Sequence, residues 1–113
     1  MKLDDYIEAG DTITTCPMVA HEVLRGARNQ FVYDGLKLML GSVVMFDETV
    51  PFTRFEEAAR LYRRCRESGV TPSTPDCLIA ATAIAHRAEL FHLDADYAHI
   101  ARVVPELLLF TRS

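Results

Sequence analysis

The feature that most constrains this chain is an almost unbroken apolar segment, 77–85, in which Thr82 is the one polar residue. Helix-start signals precede it. Thr74 can serve as an N-cap, Pro75 suits the first turn because its missing N–H needs no partner there, and Asp76 lies at the positive end of the helix dipole. Neither glycine nor proline interrupts the segment. We therefore predict a helix that is buried on most of its circumference inside a globular domain.

Acidic residues follow the next apolar stretch along the chain. The segment Glu89–Leu93 reads as a short buried strand, and Asp94 and Asp96 come directly after it. In an open α/β sheet, the carboxyl ends of the strands and the starts of the following helices lie along one edge. We therefore expect Asp76 to converge with Asp94 and Asp96 at that edge.

The remaining pattern alternates between strands and helices. Apolar spacing, glycine stops and prolines predict the helices Lys2–Ala9, Met18–Ala27, Gln30–Leu40, 52–68 and Tyr97–Val103, and the strands Thr12–Thr15, Val43–Phe46 and Leu107–Phe110. This order is typical of a parallel sheet with helices on both faces. The chain has no repeats or linker segments, so we predict a single domain that spans residues 1–113.

The longest predicted helix, 52–68, has two kinds of face. Apolar residues recur at the three-and-four spacing of a core stripe, namely Phe55, Ala58, Ala59, Tyr62 and Cys65. Four arginines fall on the other faces: Arg60, Arg63, Arg64 and Arg66. These arginines form either an ordinary solvated surface or a patch that contacts phosphate.

Composition and charge exclude some classes of protein. The 12 Lys and Arg against 16 Asp and Glu give a net charge of −4, so an anionic ligand would need a local basic patch. The three cysteines, an odd number at no metal-like spacing, favour free buried thiols. No apolar run approaches the roughly 20 residues that span a bilayer, and the acidic N-terminus is not a secretion signal. We expect a soluble, cytoplasmic protein.

Glu22 joins the three aspartates as a fourth candidate, because it lies in the first turns of a predicted helix that follows a strand. A cluster of carboxylates is relieved either by a raised pKa on one member or by a bound divalent cation, and hard oxygen ligands suit Mg²⁺ or Mn²⁺. Such sites support metal-assisted phosphodiester hydrolysis. Each acid also has a simpler explanation, as a helix-dipole residue, a cap, a turn former or a surface residue.

Polar residues near these acids are candidates for binding substrate. Thr71 and Thr74 precede Asp76 and could position a water or a phosphate oxygen, although Thr74 is sufficiently explained as a cap. Arg25 and Arg28 follow Glu22 and are the basic candidates.

Three segments of the chain together resemble a known family. They are T-T-C-P-M-V-A-H-E-V-L-R-G-A-R, T-P-D-C-L-I-A-A-T-A-I-A-H-R-A and L-F-H-L-D-A-D-Y-A-H-I-A, in this order. They are similar to the PIN-domain ribonucleases, and most closely to the VapC toxins of bacterial toxin–antitoxin pairs. The match covers nearly the whole chain.

The resemblance implies a PIN-like three-layer α/β/α fold with a central parallel sheet. It matches the family's acids to Glu22, Asp76, Asp94 and Asp96, as residues that hold Mg²⁺ or Mn²⁺ for endonucleolytic cleavage of RNA. It also implies a cognate antitoxin, whose C-terminal segment fills the site, and a homodimer.

One departure from the family affects the expected activity. Family members begin with a strand that ends in an aspartate, and the first residues here instead resemble the helix that follows that strand. On this reading the domain is N-terminally incomplete, and a ligand is absent or supplied by a partner. The alternative function is a catalytically impaired PIN-like module that binds an antitoxin or dimerises without cleaving RNA.

Overall fold

The computed structural model describes residues 14–90 and 95–109. In chain order the elements are β1 (Thr14–Thr15), α1 (Pro17–Arg25), α2 (Gln30–Leu40), β2 (Val44–Met45), α3 (Phe52–Glu67), α4 (Thr74–Ala85) and α5 (Ala95–Val103). The chain divides into two compact units between Glu48 and Thr49. The predicted helix Lys2–Ala9 lies outside the described residues, and the prediction of a single domain stays a prediction.

Unit 1 contains a short parallel strand pair. Thr14 pairs with Val44, and Thr15 pairs with Met45. The backbone N–H of Phe46 donates to the carbonyl of Thr15 at 2.7 Å and extends this pairing by one residue. A parallel pair requires a crossover connection, which α1 and α2 supply. The predicted strands Thr12–Thr15 and Val43–Phe46 are thus confirmed at Thr14–Thr15 and at Val44–Met45.

Helices α1 and α2 pack against each other within unit 1. Pro17 opens α1 as predicted, and α2 has the predicted bounds, with the Asn29 side chain accepting a hydrogen bond from the N–H of Val32. Within α1, one residue is buried. Ala20 is its buried residue, whereas Val19, Val23 and Leu24 are half-buried. Helix α2 has no buried residue, and Phe31 is 87% exposed.

Unit 2 is built on the packing of α3 against α4, the most extensive contact between two elements. The predicted burial of α4 is confirmed, since every residue from Cys77 to Ala83 is buried. Several of these are alanines, and small side chains allow the two helix axes to approach closely. The buried hydroxyl of Thr82 donates to the carbonyl of Leu78 at 2.7 Å, so the polar residue of this segment is satisfied inside the helix.

The face that α3 buries differs from the prediction. The buried residues are Arg54, Ala58, Leu61 and Cys65. Arg54 is accommodated because its guanidinium is paired with Glu57 at 2.7 Å. Of the predicted stripe, Phe55, Ala59 and Tyr62 are exposed instead. The two stripes share Ala58 and Cys65, and the packing of α3 within unit 2 buries the one that contains Arg54 and Leu61.

Helix α3 ends as predicted, at a glycine. Gly69 adopts φ of 79°, a left-handed conformation that costs glycine little. Its N–H donates to the carbonyl of Arg66 at 3.1 Å, and the N–H of Val70 donates to the carbonyl of Cys65 at 2.9 Å. These are the two hydrogen bonds of a Schellman cap, which satisfies carbonyls that the helix leaves unpaired.

The N-cap of α4 is Ser73 and not Thr74. The Ser73 hydroxyl accepts a hydrogen bond from the backbone N–H of Asp76 at 3.2 Å, and Thr74 is the first residue of the helix. Pro75 and Asp76 lie in the first turn, as predicted. The S-T-P-D segment allowed either residue as the cap, and the extended backbone at Ser73 decided between them.

We expect Ser73→Ala to lower the free energy of unfolding by about 1 kcal/mol, because it removes the acceptor for an N–H at the start of α4. Thr74→Ala is the matched control, since it also removes one side-chain hydroxyl but leaves the cap intact. Urea denaturation followed by circular dichroism measures both. Equal losses in the two variants would contradict the assignment of the cap.

Helix α5 completes unit 2 and contacts both α3 and α4. It begins at Ala95, two residues earlier than predicted, and buries Tyr97 and Ile100. Beyond it, Leu109 forms a parallel bridge with Leu90, so one residue from each of the predicted strands Glu89–Leu93 and Leu107–Phe110 pairs as expected. The rest of the first strand, from Phe91 onward, lies outside the described residues.

The three cysteines are free and buried, as predicted. Burial raises the pKa of the Cys16 and Cys65 thiols, and it raises the pKa of the Cys77 thiol to about 11. These thiols therefore stay protonated near neutral pH and act as small apolar core residues. Across residues 14–90 and 95–109, no helix has the length and apolar content needed to cross a membrane.

Candidate active site

Glu22 lies on α1 in unit 1, with its side chain 34% exposed. Its carboxylate accepts a hydrogen bond from the guanidinium of Arg25, with an N–O distance of 3.0 Å. The two residues are three apart on the helix, a spacing that places their side chains on the same face. The negative charge of Glu22 is thus shared with a cation of its own helix, and a bound metal ion would compete with that cation.

The two basic candidates of the first segment have different positions. Arg25 is largely exposed and pairs with Glu22, so it lies next to one of the predicted acids. Arg28 is exposed in the turn between α1 and α2. Both guanidinium groups are accessible to an anionic ligand.

Asp76 lies in the first turn of α4 and is half-buried. Ser73 caps the helix and Pro75 lies in its first turn, so the local sequence positions this carboxylate at the positive end of the helix. Among the residues that the structure describes, no side chain donates a hydrogen bond to the Asp76 carboxylate. Within this part of the chain, no side-chain donor competes with a ligand for the Asp76 oxygens.

The acids that follow the next strand are only partly described. Asp96 is exposed in the first turn of α5, where a negative charge also lies at the positive end of a helix. Asp94 lies outside the described residues. Asp76 and Asp96 both belong to unit 2, whereas Glu22 belongs to unit 1.

The two threonine candidates lie on either side of the Ser73 cap. Thr71 is exposed, and its hydroxyl accepts a hydrogen bond from the Arg66 guanidinium at 3.2 Å. Thr74 is exposed at the first position of α4. Sequence reasoning did not find the contact of Thr71 with Arg66, because two residues that flank a turn carry no periodic signal.

The donor set of the candidate site is chemically suited to a hard divalent cation. Its members are carboxylates, the ligands that Mg²⁺ and Mn²⁺ prefer, and it includes no thiolate or imidazole. Within either unit, the described residues contain no group of three or more His, Cys, Asp or Glu side chains that could hold a metal ion. The set of four carboxylates includes Asp94, and so it stays a prediction.

Comparison with known proteins identifies the family. The family model described as PIN domain matches residues 1–103. The chain is 36% identical over 99 residues to the VapC ribonuclease Mb1587 of Mycobacterium bovis, and the match covers 85% of this chain and 72% of that protein. Ribonuclease VapC11 of Mycobacterium tuberculosis matches with the same identity and coverage.

These matches extend over most of the chain, and the range of the PIN-domain model includes all three segments on which the resemblance rested. They confirm the predicted α/β class, and the parallel pairing of β1 with β2 agrees with it. The chain therefore belongs to the PIN-domain family, as a VapC-type ribonuclease member.

Proposed function

We propose that this chain is a metal-dependent endoribonuclease toxin that hydrolyses phosphodiester bonds of RNA. The observation that carries the proposal is the half-buried Asp76 carboxylate at the start of α4, in a chain that is 36% identical to proteins named as VapC ribonucleases. A carboxylate held at a helix start, without a donor among the described side chains, is positioned to bind a cation.

Four acids have roles in this proposal. Glu22, Asp76 and Asp94 hold the metal directly, and Asp96 is either a ligand or an acid in the surrounding shell. A bound Mg²⁺ or Mn²⁺ would polarise the phosphate, favour deprotonation of a water and stabilise the leaving oxygen.

The other residues of the chain position the acids and the RNA. The Ser73 cap and Pro75 define where α4 begins, and they thereby set the position of Asp76. Arg25 lies beside Glu22 with an exposed guanidinium, where it can neutralise an RNA phosphate. Arg28, Thr71 and Thr74 are further candidates for contacts to phosphate oxygens.

The protein's proposed partners are an antitoxin and a second copy of the chain, and its proposed location is the cytoplasm. We expect a cognate antitoxin and a homodimer. The exposed apolar side chains of α2, Phe31 at 87% and Leu38 at 79%, support a bound partner in unit 1. Co-purification with the antitoxin and a molar mass of two chains by light scattering test these expectations. Buried free thiols agree with a cytoplasmic location.

The direct test is cleavage of RNA by the purified chain in the presence of Mn²⁺ or Mg²⁺. We expect cleavage with either metal ion and none in EDTA, with recovery when excess metal is restored, because the proposed hydrolysis depends on a divalent cation held by the carboxylates. A folded chain that binds the antitoxin but cleaves no RNA with either metal would support the alternative of a binding module.

A further inference from the structure

Helix α3 has a second face that is apolar and exposed. Phe52, Phe55 and Tyr62 are 76%, 47% and 39% exposed, and we call these three side chains the aromatic stripe. With 3.6 residues per turn, positions 52, 55 and 62 lie on one side of the helix, and the buried stripe that contacts α4 lies on another. Three large aromatic rings in a row form a surface suited to a ligand with flat apolar groups.

Arginines border the aromatic stripe at its C-terminal end. Arg63 lies about three turns from Phe52 on the same side, and Arg66 lies about three turns from Phe55. Among the described residues Arg63 has no ion-pair partner, and the Arg66 guanidinium donates a hydrogen bond to the neutral Thr71 hydroxyl. Arg64, in contrast, is neutralised by Glu106, with N–O distances of 2.6 and 3.1 Å. Arg63 and Arg66 therefore have no ion-pair partner among the described residues.

The local charge is opposite to that of the whole chain. Helix α3 contains five arginines and three glutamates, a net charge of +2, whereas the chain carries −4. This contrast indicates an anionic partner. A symmetric contact between two copies through this face would bring the same arginines of both copies into one interface, and the repulsion of like charges opposes it.

We propose that the aromatic stripe, together with Arg63 and Arg66, binds single-stranded RNA. Bases stack on the aromatic rings, and the guanidinium groups contact the phosphates. The stripe from Phe52 to Tyr62 is about 15 Å long, from ten residues at about 1.5 Å each, and spans a few nucleotides. The inference rests on the proposed ribonuclease function, because it assigns an additional surface for the same substrate class.

The test is the affinity for a fluorescently labelled single-stranded RNA oligonucleotide, measured by anisotropy in EDTA so that the RNA stays intact. We expect Phe55→Ala and Tyr62→Ala each to weaken binding about tenfold, through the loss of one stacked base. Leu108→Ala is the control, because Leu108 is also apolar and 47% exposed but lies outside α3.

The arginines are tested through the salt dependence of binding. Arg63→Gln should reduce the slope of log K against log salt by about 0.7, the value for one phosphate contact to a single strand. Arg102→Gln is the matched control, because it removes the same charge from an exposed position on α5. We expect that control to leave the slope unchanged.

Two outcomes overturn the inference. One is an affinity and a salt slope in the α3 variants that equal those of the controls. The other is a loss of affinity that occurs only together with a fall in molar mass by light scattering, which would assign the stripe to contact between copies. RNA binding in EDTA does not require the metal. A chain that binds RNA through the aromatic stripe but cleaves no RNA would therefore contradict the proposed ribonuclease function and leave this inference intact.

Discussion

Replacing Asp76 by asparagine should lower the rate of metal-dependent RNA cleavage by at least about 100-fold. Substituting a residue that only supports a metal ligand lowers metal affinity or activity by about 10- to 100-fold, and Asp76 is proposed to bind the metal itself. Asparagine preserves the size of the side chain but removes its charge. Single-turnover cleavage with excess enzyme measures the effect.

The structure predicts that this variant stays folded. The hydrogen bond to the Ser73 cap comes from the backbone N–H of residue 76, so the substitution keeps it. The loss of a negative charge at the start of a helix costs about 0.3 to 1 kcal/mol, and circular dichroism should show native helix content. Asp34→Asn is the matched control, because Asp34 is an exposed acid of α2 outside the predicted site. Full activity of Asp76→Asn, or an equal loss in the control, would remove Asp76 from the site.

Ile100→Ala is expected to have the largest effect on stability. Ile100 is completely buried on α5, and its side chain is the largest of the fully buried ones among the described residues. Truncation to alanine removes its apolar contacts and leaves a cavity, at a cost of about 2 to 5 kcal/mol in the free energy of unfolding. Urea denaturation of the metal-free chain, followed by circular dichroism, measures this loss.

Two comparison variants show whether packing is the cause. Ile100→Val removes one methylene group and should cost about 0.5 to 1.5 kcal/mol. His99→Ala changes the exposed neighbour on the same helix and should alter stability by less than about 0.5 kcal/mol. A loss below about 1 kcal/mol for Ile100→Ala would mean that α5 does not contribute to the core of unit 2.

The elements of the fold could be predicted where a signal is local. Helix α2 has the bounds that its apolar spacing and Gly41 predicted, and α3 ends at Gly69 because a left-handed backbone favours glycine. The α4 segment was predicted to be buried because nearly every residue from Cys77 to Ala85 is apolar, which leaves no polar face for solvent.

The faces of α3 could not be predicted from spacing alone. The buried stripe contains Ala58 and Cys65, and a second stripe, shifted by one position along the helix, contains Phe55 and Tyr62. Both stripes repeat with the period of a helix, so spacing alone favours neither. Burial of a helix face depends on the partner that packs against it. The partner here is α4, the next helix along the chain, and spacing within α3 does not show which of its faces α4 contacts.

The sequence by itself determined the fold class, the family and the order of the described elements, and it predicted the acids of the candidate site, because these depend on periodicity, on capping chemistry and on short matched segments. Only the tertiary structure decided that Ser73 caps α4, that Arg25 pairs with Glu22 and that the aromatic rings of α3 face outward. Each of these depends on a backbone conformation, a side-chain rotamer or a packing partner. A sequence pattern limits the possible conformations and packing partners, and the packing of the folded chain determines which of them is adopted.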